Sequence, residues 1–341
     1  MLLVMLSQKE KIKITAPTIA TAILAIVFFR LMSPSACLAQ KKLNVVTSLF
    51  PLQEMARAVG GDRTRVDLLL PEGAEPHAWE PKPSDIVTLT RADVFIYLGA
   101  GMEPWAESIL KGINRPSLRV FKASQGLPAI DGTKEHDRYD HDHHDDHNGE
   151  HDHHSHDHHG SHDHQMDPHF WLDFSYDQIM VSAIAGVFSE LDPAGAQFYM
   201  QNASRYQKKL AELDKKYQQG LKDCQSRKIF LGGHSAFSYL ARRYHLDQIT
   251  LYGISPDAEP SPRRLAQIVD LAKKQKVKAI FFEELISDRL ANVLAKEAGA
   301  VTLMLNPGAN VTKELVSSGV TFLSLMEKNL ETLRKGLVCS E

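Results

Sequence analysis

Short apolar runs alternate with amphipathic stretches along most of this 341-residue chain, and that alternation limits the fold more than any other feature. Residues 43–50 read as a buried strand, 51–59 as a helix opened by Pro51 and closed by Gly60-Gly61, and 64–70 as a second strand. A Pro- and Gly-rich connection follows over 71–83. Ser84 then reads as the N-cap of a helix over 85–91, followed by a strand at 93–98, a helix at 104–112 and a strand at 118–123. The same order returns later, with strands at 228–231, 245–251, 277–282 and 301–305 and helices at 235–244, 262–274, 288–298 and 312–336. Repeated βα units predict mostly parallel sheets with helices on both faces, here as two lobes of one α/β protein.

Between the two sets lie two helices, one over 176–191 and a longer one opened by Asp192-Pro193 and running to about 223. Tyr199, Ala203, Tyr206, Leu210, Leu213, Tyr217 and Leu221 recur at three and four along it, one apolar stripe on a charged rod. A helix of about 30 residues spans ~45 Å, more than a small domain needs, so it reads as a rigid linker between lobes. The predicted organisation is a signal segment at 1–39, an N-terminal lobe at 40–190, the linker helix at 191–224 and a C-terminal lobe at 225–341.

One stretch cannot belong to any core. Residues 135–164 carry thirteen of the chain's 17 histidines: His136, His141, His143, His144, His147, His151, His153, His154, His156, His158, His159, His162 and His164. Aspartates separate them, and apolar residues are almost absent. Too little apolar surface is available there to offset the entropy of ordering, so the tract reads as a loop outside the packed lobes. Neutral imidazoles and carboxylates together suit a borderline divalent cation such as Zn²⁺. A solubilising low-complexity insert has the same composition, but a purification tag would sit at a terminus.

The formal net charge of −3 averages a tract of ten acids and one arginine, about −9, with a remainder of about +6. The first residues supply half of that remainder, so the mature lobes are near neutral and offer no electrostatic case for nucleic acid. Lysines at 9, 11 and 13, an apolar run over 14–29 and small residues up to Ala39 have the layout of a secretory signal. The run is shorter than the ~20 residues of a membrane-spanning helix. Cleavage after Ala39 and a periplasmic location are expected; the alternative is lipid attachment at Cys37 in Pro34-Ser35-Ala36-Cys37. Cys224 and Cys339 would then remain, free to pair in an oxidising compartment or to stay as thiols.

Outside the tract only His77, His169, His234 and His245 remain. In open α/β sheets ligands sit beyond the carboxyl ends of the strands. His77 follows the strand at 64–70, and His234 follows the strand at 228–231 through Gly232-Gly233. His169 precedes Trp171-Leu172, which could anchor the backbone while the ring faces a cleft. His245, at or inside a strand, reads as a structural or surface residue. Three imidazoles on separate loops leave one position of a tetrahedral zinc site for a carboxylate, water or another donor.

Four blocks carry a resemblance: Gly73-Ala74-Glu75-Pro76-His77-Ala78-Trp79-Glu80-Pro81-Lys82-Pro83-Ser84-Asp85, Asp167-Pro168-His169-Phe170-Trp171-Leu172-Asp173, Gly233-His234-Ser235-Ala236-Phe237-Ser238-Tyr239 and Tyr252-Gly253-Ile254-Ser255-Pro256-Asp257-Ala258-Glu259-Pro260-Ser261-Pro262. In order and spacing these are similar to the signature blocks of the metal-binding solute proteins of bacterial ABC importers, specifically the ZnuA-like branch. The resemblance implies two βα lobes joined by a rigid helix, a metal held in the interlobe cleft by His77, His169 and His234, and hand-over to a membrane permease. Manganese-selective relatives typically have glutamate in place of the third histidine, and nitrogen favours zinc. The chain departs from the family at the fourth donor, where Leu305-Asn306-Pro307 offers an amide instead of an aspartate. Water, Asn306, Glu75 and a histidine lent by the tract remain the alternatives.

The reading is a monomeric exported zinc receptor that feeds an ABC permease, with the tract as accessory collector and Zn²⁺ as cargo. Two competitors stand beside it. A zinc hydrolase would need a general base, for which Glu75, Glu80 or Glu283 could serve, but neither His-Glu-x-x-His nor Gly-x-Ser-x-Gly occurs. A metal buffer or adhesin would use the lobes only to display the tract.

Overall fold

The computed structural model describes residues 41–113, 115–132, 166–254 and 260–340. The signal segment with Cys37, the thirteen tract histidines and the block at 255–259 therefore lie outside the described residues.

Four strands, β1 (Leu43–Thr47), β2 (Thr64–Leu68), β3 (Val94–Tyr97) and β4 (Arg119–Lys122), form a sheet ordered β2-β1-β3-β4, every pair parallel. Four more, β5 (Lys228–Leu231), β6 (Asp247–Thr250), β7 (Ala279–Glu283) and β8 (Val301–Leu305), repeat that topology as β6-β5-β7-β8, again all parallel. The centre of each sheet is where the apolar runs are purest: β3 is buried along its length, and Ile229 to Leu231 of β5 are fully buried. Both sheets belong to one unit spanning Lys42–Glu341.

Helices α1 (Phe50–Gly60), α2 (Pro83–Arg91) and α3 (Ala106–Gly112) cover the first sheet, with α4 (Phe174–Leu191) beyond it. Asp173 caps α4, its Oδ1 accepting the Ser175 N–H at 3.0 Å. A single 3₁₀ turn at Pro193–Gly195 leads into α5 (Ala196–Gly220). The stripe read from sequence is the buried face of α5, from Tyr199 through Tyr217, with Leu221 buried just beyond the helix. Helix α5 lies against α4 and α1, and against α10 (Phe322–Gly336) of the second lobe, so one continuous apolar core runs from Val45 to Leu337. At 25 residues it is about 37 Å long, shorter than expected because its first turn is the 3₁₀ turn after Pro193. The remaining helices are α6 (Ser238–Arg243), α7 (Pro262–Lys274), α8 (Arg289–Ala298) and α9 (Lys313–Ser317).

Four further boundaries differ from the sequence reading, each for a local reason. Helix α2 begins at Pro83, so Ser84 is inside it, and the Asp85 carboxylate accepts the Lys82 N–H at 2.8 Å. Helix α6 starts three residues late because the Phe237 N–H donates to the Gln248 side chain at 2.7 Å. Strand β6 starts at Asp247 because His245 sits in a left-handed turn at φ 55°, exposed. The closing helix is two helices: Gly319, at φ 75°, ends α9, and Thr321 caps α10 through the Ser324 N–H at 3.1 Å.

Cys224 and Cys339 form a disulfide that ties the chain just past α5 to the C-terminal end. Among the described residues no helix is long and apolar enough to cross a membrane.

Candidate metal centre

Each of the three histidines arrives at the carboxyl edge of its sheet by a different device. His77 lies on the connection after β2, whose backbone is held by the other lobe: Asn310 Nδ2 donates to the carbonyls of Pro71 and Ala74 at 2.7 and 2.8 Å, and the Gly73 N–H donates to Val311 O at 2.9 Å. Within that connection the Glu75 carboxylate accepts the Ala78 N–H at 2.9 Å.

His169 stands on a segment pinned by apolar burial, with Phe170, Trp171 and Leu172 all at 1% exposure or less. Trp171 Nε1–H also donates to Pro307 O of the second lobe, at 2.6 Å. Just upstream, Asp131 and Met166 form an antiparallel bridge that brackets the histidine-rich tract.

His234 follows β5 through two glycines. A Cβ on Gly233 would come within 2.3 Å of Glu283 Oε1, and one on Gly232 within 2.4 Å of the Ala291 side chain, so the pair lets β5 pass close to β7 and α8.

The rings meet. The Nε2 atoms of His77 and His169 are 3.3 Å apart, and those of His169 and His234 also 3.3 Å. Among the described histidines, cysteines and carboxylates, these three residues form the sole cluster able to hold a metal ion. Tetrahedral zinc with bonds of about 2.0–2.1 Å places neighbouring donors about 3.3 Å apart, which matches.

Two buried carboxylates fix which way the nitrogens face. Asp167 Oδ1 accepts both the backbone N–H of His169, at 2.9 Å, and its ring Nδ1–H, at 2.8 Å. Glu283 Oε1 does the same for His234, at 3.0 and 2.9 Å. Both imidazoles therefore carry their proton on Nδ1 and direct an Nε2 lone pair at the other. Two lone pairs at 3.3 Å do not bond to each other; a cation between them satisfies both.

Burial, with the neighbouring His169 and His234, pushes the His77 pKa down to about 2, so that ring stays neutral. For His234 burial acts the same way, but the charge and hydrogen bond of Glu283, aided by Glu75 and Asp167, outweigh it and raise the pKa above its ordinary value.

Beside the rings is a cavity of about 20 Å³, bordered by Glu75, Glu283, Glu284 and Asn306. The sequence reading had named Asn306 and Glu75 as fourth-donor candidates. Asn306 is spoken for: its Oδ1 accepts the Gly308 N–H at 2.8 Å, and its Nδ2 donates to Glu284 Oε2 at 2.5 Å. Glu75 and Glu284 both border the cavity without joining the cluster. Glu284 had not been singled out, although a carboxylate just past β7, beside the strand that carries His234, is where the strand-end rule points. His245 is remote from the centre, in its exposed turn.

Residues 45–336 match the family described as "Zinc-uptake complex component A periplasmic". The zinc-binding lipoprotein AdcA of Streptococcus pneumoniae strain R6 is 38% identical over 304 residues, covering 88% of this chain and 58% of AdcA, so the chain spans little more than half of that relative. The high-affinity zinc uptake system protein ZnuA of Bacillus subtilis is 38% identical over 297 residues, covering 87% of this chain and 88% of ZnuA. Among solved structures, the Zn(II)-bound ZnuA-like domain of Streptococcus pneumoniae AdcA superposes with a TM-score of 0.70 at 34% identity, over 87% of this chain and 99% of the domain. By sequence and by fold, the chain belongs to the zinc-uptake complex component A family.

Proposed function

We propose that this protein is an exported zinc receptor: it captures one Zn²⁺ on His77, His169 and His234 and delivers it to an ABC permease in the cytoplasmic membrane. The observation that carries this reading is the convergence of the Nε2 atoms at 3.3 Å, with two Nδ1 protons locked onto buried carboxylates. Such a set is preorganised for a borderline cation with nitrogen preference, which favours Zn²⁺ over Mn²⁺. The similarity to AdcA, a zinc-binding lipoprotein, and to ZnuA, a zinc uptake protein, points the same way.

A receptor is favoured over a hydrolase. Glu283, the candidate base at the centre, is occupied in orienting His234, and Glu80 is exposed. The tract at 135–164 acts as an accessory collector, because it leads directly into the segment that carries His169.

Calorimetric titration of the chelator-stripped protein tests the reading. One tight Zn²⁺ site is expected, lost when His77, His169 and His234 are all changed to alanine and kept when residues 135–164 are deleted. Tight binding that survives the triple change refutes the site, and loss of the tight site on deletion moves the function to the tract.

A further inference from the structure

The three imidazoles leave one position of a four-coordinate zinc unfilled, and the cavity that borders it offers several oxygens. Each can be judged by what already holds it. Glu283 lies on the Nδ1 side of the His234 ring, where its Oε1 takes both N–H groups of that residue, away from the Nε2 that faces the other histidines. The Asn306 amide cannot turn its oxygen toward the cavity. In the flipped orientation its NH₂ would face the Gly308 N–H and its oxygen would face the Glu284 carboxylate, a repulsion at both ends. Asn306 is also fixed at its backbone, where Asn329 receives its N–H at 3.0 Å and donates to its carbonyl at 2.6 Å.

Glu284 differs from both. It sits in the turn immediately after β7, half-buried, with Oε2 held by Asn306 Nδ2 at 2.5 Å. Among the described residues its Oε1 accepts no hydrogen bond. A rigid amide thus grips one carboxylate oxygen at the wall of the cavity that the three histidines also line, and leaves the other uncommitted.

We propose that Glu284 is the fourth zinc donor and that Asn306 positions it, an inference that rests on His77, His169 and His234 being the other three. The carboxylate comes from the chain after β7, and the residue after β8, where relatives place an aspartate, becomes its support. Glu284 would then add one anionic oxygen to the three imidazole nitrogens that would hold the zinc.

Competition of Zn²⁺ against a high-affinity chelator, on the full mature chain at one metal equivalent, tests the assignment. Glu284→Gln keeps the size and the Asn306 contact but weakens the donor, and is expected to lower affinity about 10- to 100-fold. Glu75→Gln is expected to stay within about twofold of the native chain. In the Glu284→Gln background, Asn306→Asp should recover part of the loss by placing a carboxylate one strand over. The thermal unfolding of the zinc-free protein should be unchanged by Glu284→Gln, which separates ligand loss from a folding defect. Glu284→Gln binding as tightly as native, or Glu75→Gln weakening binding while Glu284→Gln does not, overturns the assignment and leaves the three-histidine site standing. A native chain with no tight site at all overturns both.

Discussion

At the scale of single residues, hydrogen bonds decide which nitrogen of His169 and of His234 faces the cluster. Glu283 does this for His234 and also raises its pKa, so a zinc ion held there would compete with a proton on that ring up to a higher pH than at an ordinary imidazole. His77, held down at about 2, contributes no such competition. Zinc affinity should therefore fall as pH is lowered, with an onset above the usual imidazole value of about 6.5. Glu283→Gln should weaken binding about 10- to 100-fold at pH 8 and shift the onset downward. Chelator competition from pH 8 to 5.5 reads both effects, and an unmoved onset would show that Glu283 does not set the proton affinity of His234. His77 and His234 were legible in sequence because each follows a strand, and His169 because it abuts the apolar Phe170-Trp171-Leu172. The carboxylates at the centre were harder to read: Glu283, which locks His234, looked like a general base, and Glu284, at the cavity wall, meets Asn306, 22 residues away, only through the parallel pairing of β7 with β8.

Among the elements, strand and helix order was readable throughout, since hydrophobic period separates the two directly. What periodicity does not carry is the local competition that ends an element. The Gln248 side chain takes a backbone N–H from the start of α6, and Gly319 divides one amphipathic run into α9 and α10. The pairing of Cys224 with Cys339 was also open in sequence, because it needs the end of α5 and the end of α10 to meet. Their bond encloses a loop with a sequence separation of 115, the whole second sheet within it. Replacing both cysteines with serine should cost about 2–5 kcal/mol in guanidinium unfolding under oxidising conditions. Zinc affinity should hold, because the bond lies at the end of β5 opposite His234. Equal midpoints for the two proteins would show that the disulfide adds no stability.

For the whole molecule, the sequence suggested two lobes and a rod, and two sheets are indeed present, but they share a core through α5. Backbone hydrogen bonds also cross between them next to the histidines, from Phe50 N–H to Ala309 O at 3.1 Å and from Gly73 N–H to Val311 O at 2.9 Å. Asn310 is the buried link in this seam, and it holds the backbone leading to His77. Asn310→Ala should lower stability by about 1–3 kcal/mol, through loss of its hydrogen bonds to the Pro71 and Ala74 carbonyls. It should also weaken zinc binding, although Asn310 is not a ligand. Denaturant melts paired with chelator competition check this; lost stability with unchanged affinity would mean the seam is not what places His77.

Tyr239 ties the root of the tract to the second lobe: its hydroxyl accepts the Ile130 N–H at 3.1 Å and donates to Asp167 O at 2.9 Å. Together with the Asp131–Met166 bridge, this closes the chain on itself before His169 is reached. A pull on the chain at residue 132 or 166 would thus load a tyrosine and a backbone bridge before it reached His169. Changing the number of residues between those two positions should therefore leave the spacing of the triad as it is.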